Sequence, residues 1–280
     1  MARTLVMGIV NVTPDSFSDG GRWLGADAAI AHGRALIAAG ADILDIGGES
    51  TRPDATPVSP AEEWHRIGPV IAELAGEIPL SVDTYHAETA RRAVAAGASI
   101  INDVTTGAGD PDMFATVAAA GVTYILQHGR GNARTMTSLA TYHDVAAEVR
   151  SEVADAVARA VAAGVAREKI IVDPGFGFAK MAPQDWELAA RIDEFLSLGR
   201  TLVGVSRKGF LSEVSNGAPA PQRDAATAAF STYFAEHGVW GVRVHNVAAS
   251  RAAVETVARL EQERIRRAGN EEAGTVKEES

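Results

Sequence analysis

Cysteine is absent from the 280 residues. That excludes disulfides, a thiolate nucleophile and zinc sites built on cysteine, and it is compatible with a reducing, cytoplasmic compartment. Basic charge is scarce too: 26 Lys and Arg stand against 36 Asp and Glu, a formal net charge of −10. A general nucleic-acid surface needs the opposite balance, so no nucleic-acid partner is expected and any cationic site must be local. Long hydrophobic runs are missing as well. The first apolar stretch, Leu5 to Val10, is too short for a signal h-region or a membrane span, and nothing later approaches the required length. The sequence therefore reads as a soluble protein with no membrane partner.

What is present is a regular alternation. Eight short apolar runs each end in polar or charged residues: Asn11, Glu49, Asp83, Asn102 with Asp103, His128, Asp173, Arg207 with Lys208, and Arg243 with His245. Near-continuous apolar runs of strand length are how parallel strands read when both faces are buried. Between them lie stretches of helical pattern: 27–39, 60–75, 86–96, 112–120, 143–163, 184–198, 224–237 and 248–264. Gly40, Gly97, Gly121 and Gly164 stand where a helix C-terminus needs a left-handed residue. These observations predict an α/β fold, a single (β/α)8 TIM barrel over 1–268, with 269–280 as a disordered tail. A chain with 46% hydrophobic residues and this length falls inside the barrel size range. In such a barrel the C-terminal strand ends converge on one mouth, so the eight endings are candidate parts of one site.

The connections after strands 1 and 2 are long and rich in glycine or proline: VTPDSFSDGGRWLGAD and GGESTRPDATPVSP. Long loops at a barrel mouth are candidate lids that exclude water and complete a site. Seven segments, NVTPDSFSDGG (11–21), GGESTRP (47–53), SVDT (81–84), IND (101–103), DPGFGF (173–178), SRK (206–208) and RVH (243–245), closely resemble the dihydropteroate synthase family, in order and over nearly the whole chain. The resemblance implies a transferase of folate biosynthesis, the target of sulfonamides. Its reaction is condensation of 7,8-dihydropterin-6-ylmethyl diphosphate with p-aminobenzoate, giving dihydropteroate and diphosphate. It also suggests a homodimer.

The residues suit that chemistry. A pterin presents ring N–H and amine donors beside acceptors, so its pocket needs carboxylates and amide or cationic donors. Asp83, Asn102, Asp173 and Lys208 supply that set. Any one of them reads equally as a buried ion pair or strand-end cap; four at four strand ends read as a site. By similarity, Asp173 takes the 2-amino and N3–H edge, Asn102 and Asp83 hold other ring nitrogens, and Lys208 donates to the ring oxygen or N5. Departing diphosphate requires stabilisation of growing negative charge. Arg243 offers a planar fork, and His245 shares its side of strand 8. The family pattern adds Arg52 to the diphosphate contacts and places Asn11 with a Mg2+ ion bridging the diphosphate. An aromatic amine needs no strong base, so diphosphate can leave first, with Asp15 and Asp83 stabilising the resulting cation. The resemblance assigns Phe17, Thr51, Arg52, Pro53, Phe178 and Lys208 to the p-aminobenzoate pocket, with Arg52 also a diphosphate candidate.

Three departures stand out. After strand 5 the family reads Met-His-Met-x-Gly-x-Pro, whereas here Gln127, Gly129 and Ala133 replace the two methionines and the proline. Asp54 follows STRP where glycine is usual, and Gly209 follows SRK where serine is frequent. Two rival readings remain open at this point. A corrinoid-dependent pterin methyltransferase barrel shares an Asp-Asn-Asp edge but has no need of the two long loops or the RVH anion site. A binding-only homologue is supported by the altered strand-5 loop alone.

Overall fold

A computed structural model describes residues 3–13, 22–50 and 55–278. Eight parallel strands run through it: β1 Leu5–Asn11, β2 Ile43–Gly47, β3 Leu80–Asp83, β4 Ile100–Asp103, β5 Thr123–Gln127, β6 Ile170–Asp173, β7 Leu202–Val203 and β8 Gly241–Val244. The intervening helices are α1 Arg22–Ala38, α2 Pro60–Leu74, α3 Ala87–Ala95, α4 Met113–Ala120, α5 Val145–Ala162, α6 Ala182–Ala190, α7 Asp193–Leu196, α8 Asp224–Glu236 and α9 Val247–Glu278. Pairing follows β6-β5-β4-β3-β2-β1-β8-β7. The remaining seam, β6 to β7, is joined by a bridge between Val172 and Thr201, with Val172 N donating to Arg200 O at 2.9 Å. The expected (β/α)8 barrel is formed.

Local chemistry sets the element ends. Ser59 caps α2, its side chain accepting from Glu62 N, with Pro60 at the first helical position where no amide partner is lost. Asp144 caps α5 by accepting from Ala147 N at 2.9 Å. The four glycines expected to stop helices all have positive φ, between 63° and 111°. Several spans differ from expectation: β7 stops at Val203, five residues short of Lys208, the expected end of its apolar run, and α1 begins at Arg22 instead of 27. The helical stretch 184–198 is two helices, α6 and α7, separated by a turn at Arg191, whose guanidinium is held by Asp144 and Glu194. At the other end, α9 continues to Glu278, through residues 269–278 that the composition reads as a disordered tail. Extending a packed helix needs no new nucleus, and Glu, Ala and Lys are good helix formers. No helix among the described residues is long and apolar enough to cross a membrane.

Alternation along the strands divides the core in two. Val6, Leu44, Val82, Ile101, Leu126 and Val172 point outward into the large cluster shared with the helices. Met7, Ile43, Ile100, Ile125, Ile171 and Leu202 form a separate cluster inside the barrel, with Leu5 and Trp240 packed against it. This inner layer fills the N-terminal end, as barrels require. Two residues further along, on the same side of their strands, come Asp45, Asn102, Gln127 and Asp173, at 0%, 1%, 5% and 1% exposure. The barrel interior thus changes from apolar to polar in a single step.

Candidate active site

Arg243 and Asp45 organise the polar layer. Arg243 Nε donates to Asp45 Oδ2 at 2.6 Å and its Nη2 to Asp83 Oδ2 at 2.9 Å, while Asn102 Nδ2 donates to the same Asp45 oxygen at 3.2 Å. One fully buried carboxylate therefore ties β2 to β4 and β8. Sequence reading overlooked Asp45 because it lies within the run ILDIG and not at its end; a lone acid at an inward position of an apolar strand was the available signal. Four atoms of this layer are buried without a hydrogen-bond partner: Asp45 Oδ1, Ser81 Oγ, Asn102 Oδ1 and Gln127 Nε2. Buried polar atoms normally find partners, and leaving one unpaired costs about 1–3 kcal/mol. Several at one barrel mouth point to a ligand that carries both donors and acceptors.

Crowding of carboxylates shapes the electrostatics. Burial raises Asp83 from 3.8 to about 7; Arg243 opposes the rise, while Asp45, Glu63 and Asp103 reinforce it. Burial also raises Asp173, against the Gly175 amide and the cations Lys208 and Arg243. Lys208 is lowered to about 8 by burial, with Asp173 and Asp185 resisting. The sign of the stability linkage follows. Asp83 keeps its proton in the fold up to about 7 but loses it near 3.8 when unfolded, so the unfolded chain binds fewer protons in that window and stability falls as pH rises through it. Denaturant midpoints of wild type and Asp83→Asn between pH 4 and 7 should show this slope reduced in the variant. Parallel lines would mean that Asp83 titrates normally.

The loop after β6 is clamped on both sides. Gly175 N donates to Asp173 Oδ1 and Gly177 N to Asp185 Oδ1, both at 2.7 Å. Lys180 Nζ donates to the carbonyls of Gly175 and Phe178 and to His128 Nδ1, each at 3.0 Å. A Cβ on Gly175 would lie 2.0 Å from His128 O, so only glycine fits there. This loop carries Phe176 O, which accepts from Lys208 Nζ, and Phe178, whose ring centre lies 4.6 Å from the same nitrogen. After β7, Arg207 adopts φ 60° and pairs outward with Asp224 at 2.6 Å, and Arg223 Nη1 donates to the carbonyls of both Arg207 and Lys208. That braced turn sends Lys208 to the mouth. His245 follows β8, its Nδ1 2.9 Å from Ser206 Oγ, and Asn11 ends β1, the neighbour of β8.

Not every strand ending joins the site. Asp103 is adjacent to Asn102 and so faces the helices, accepting from Tyr124 Oη at 2.7 Å. His128 is fully buried on the same outer side, between Lys180 and Glu152 Oε2 at 3.0 Å. Burial and then Lys180 lower it to about 4. Glu49 lies at the rim, where Glu49, Glu63 and His86 bring ligand atoms within 4.8 Å of one another, a spacing a metal ion could bridge. His86 Nδ1 already meets Glu63 Oε2 at 3.0 Å. Above the rim a cavity of about 520 Å³ opens between the loops after β2 to β6, bordered by Tyr85, Thr105, Arg130 and Phe178. Gly129, one of the departures, is forced by packing, since a Cβ there would meet Val104 O at 2.8 Å. Gly209 has open space around its Cβ position, so nothing there excludes a serine. Asp15, Phe17, Thr51, Arg52, Pro53 and Asp54 lie outside the described residues.

Comparison with known proteins agrees with this arrangement. The pattern of the pterin binding enzyme family matches residues 7–245. The dihydropteroate synthase of Mycobacterium leprae is 46% identical over 265 residues, covering 92% of this chain and 93% of its own, and that of Synechocystis is 43% identical, covering 88% and 86%. The Xanthomonas albilineans dihydropteroate synthase solved with 4-aminobenzoic acid superposes with a TM-score of 0.87 at 42% identity, covering 92% of this chain and 93% of that one. Its complex with 7,8-dihydropteroate gives 0.83 at 40% identity, covering 92% and 94%. A family pattern spanning most of the barrel and relatives this similar over nearly full length place the chain in the dihydropteroate synthase family of pterin binding enzymes.

Proposed function

We propose that this chain condenses 7,8-dihydropterin-6-ylmethyl diphosphate with p-aminobenzoate, releasing 7,8-dihydropteroate and diphosphate. The observation that carries the reading is the inner polar layer, where unpartnered buried atoms of Asp45, Ser81, Asn102 and Gln127 sit beside Asp83, Asp173, Lys208 and Arg243. Asp173 Oδ1 is engaged by Gly175 N, which fixes the carboxylate so that its other oxygen can accept from the pterin amine edge. Asn102 and Asp83 take other ring nitrogens. Lys208, anchored by Phe176 O, supplies the cation beside the ring and the face of Phe178.

Bond breaking needs charge stabilisation at both ends. Diphosphate gains negative charge as the methylene carbon becomes cationic, so Arg243 and His245 are assigned to the leaving group and Asp83 to the carbon, with Arg52 and Asp15, outside the described residues, assigned by the resemblance to the same two ends. The aniline nitrogen then attacks, and water accepts its proton. The resemblance assigns Phe17, Thr51 and Pro53, which lie outside the described residues, to the p-aminobenzoate pocket together with Phe178 and Lys208. Asn11 supplies one carboxamide oxygen at the β1 end, which suits a Mg2+ ion held mainly by diphosphate and water. When bound, that ion would neutralise the departing phosphate oxygens. A homodimer in the cytoplasm is part of the same reading, resting on the family resemblance and the absence of cysteine.

A corrinoid-dependent methyltransferase barrel is disfavoured by the relatives, which are dihydropteroate synthases. Diphosphate release measured with each substrate alone and with both tests the proposal. Release dependent on both is expected, with sulfonamide competing against p-aminobenzoate and not against the pterin. Pterin binding without turnover would instead identify a binding-only homologue.

A further inference from the structure

Gln127 stands where the family has a methionine, and it is buried to 5% exposure. Its place is fixed by the strand: Ile125, two residues earlier, belongs to the cluster inside the barrel, so Gln127 points inward directly above it. The register sets its neighbours, with Gln127 opposite Asp173 on β6 and Asn102 opposite Ile125 on β4. Its Nε2 is buried and has no hydrogen-bond partner. An apolar side chain at this position would bury nothing polar, whereas a carboxamide with an unpaired N–H is costly until something accepts from it. No neighbouring side chain does so, although the carboxylates of Asp45, Asp83 and Asp173 share the layer. An acceptor on a ligand entering the mouth would complete it.

We infer that Gln127 is a specificity-determining residue that donates from its carboxamide to the ring edge of the bound pterin, at the acceptor flanking the donors taken by Asp173. The inference rests on the pterin reading above. The order of inward groups around the mouth, Asn102 on β4, Gln127 on β5 and Asp173 on β6, matches an edge that alternates between donors and acceptors. A ring nitrogen beside the 2-amino group is an acceptor of the required kind, next to the two donors held by Asp173. A carboxamide N–H reads hydrogen-bonding pattern where a methionine would read only shape. The substitution then tightens selection of the heterocycle at a site otherwise built from acceptors and cations.

Calorimetry with 6-hydroxymethylpterin, on the 280-residue chain, tests this with Gln127→Met and Gln127→Glu. Removal of an unpaired buried amide should leave the thermal midpoint of Gln127→Met equal to or above that of wild type, while its pterin affinity falls about five- to tenfold. Its KM for p-aminobenzoate should be unchanged. Gln127→Glu should bind more weakly still, because its carboxylate has no N–H and adds charge beside Asp173. Unchanged affinity in Gln127→Met, with wild type binding normally, overturns the inference and leaves the proposed function standing. Absence of pterin binding by wild type would overturn the proposed function itself. A lower midpoint in Gln127→Met, with equal losses for pterin and p-aminobenzoate, would make Gln127 structural and also overturn the inference.

Discussion

Asp173→Asn is expected to reduce affinity for 6-hydroxymethylpterin at least about a hundredfold, roughly 3 kcal/mol, while the fold survives. The two halves of this expectation have separate causes. One carboxylate oxygen accepts from Gly175 N at 2.7 Å, and an asparagine oxygen can keep that bond, so the clamp on the loop after β6 remains. The other position becomes an NH2 group facing the ring donors, which turns an attraction into a mispaired contact. Burial already raises Asp173 from its usual value, so the apoprotein loses an awkward buried charge and its stability should hold or increase. Calorimetric titration together with thermal melting checks both halves. Unchanged affinity would remove Asp173 from the pterin pocket. Collapse of the fold would mean that it serves the loop before the ligand.

Arg243→Ala should be harsher, because its guanidinium holds two carboxylates at once. Sequence reasoning assigns Arg243 to diphosphate, with free pterin binding left nearly intact; its contacts with Asp45 at 2.6 Å and Asp83 at 2.9 Å show that it also organises the inner layer. Removing it leaves Asp45 fully buried without its cation, a loss of about 3 kcal/mol when one partner of a buried pair is deleted. Affinity for free pterin and turnover should therefore both fall, and stability with them. Neutralising the stranded acid tests the cause. Asp45→Asn combined with Arg243→Ala should recover stability relative to Arg243→Ala alone, a coupling that a double-mutant cycle reads directly. Additive effects would place the pair's contribution elsewhere, and intact pterin binding in Arg243→Ala would restore the simpler division of the mouth.

The sequence by itself determined the number and order of strands, the stop of each crossover helix that ends in glycine, and the strands that carry Asp83, Asn102, Asp173 and Arg243, whereas Lys208, expected at the end of strand 7, stands on a turn five residues beyond it. These are readable because apolar periodicity, capping and left-handed glycines are local properties of the chain. Only the tertiary structure decided which ending residue faces the mouth. Asn102 points inward and Asp103 outward, and His128 turns its back on the site to meet Lys180 and Glu152, because alternation assigns sides only once barrel register is set. The partners of Arg243 were equally hidden. Asp45 and Asp83 lie 198 and 160 positions away in the chain, and no spacing rule links residues that meet solely because a sheet closes on itself. Asp45 shows the general reason: its charge was visible inside an apolar run, but its function depends on what stands across the barrel.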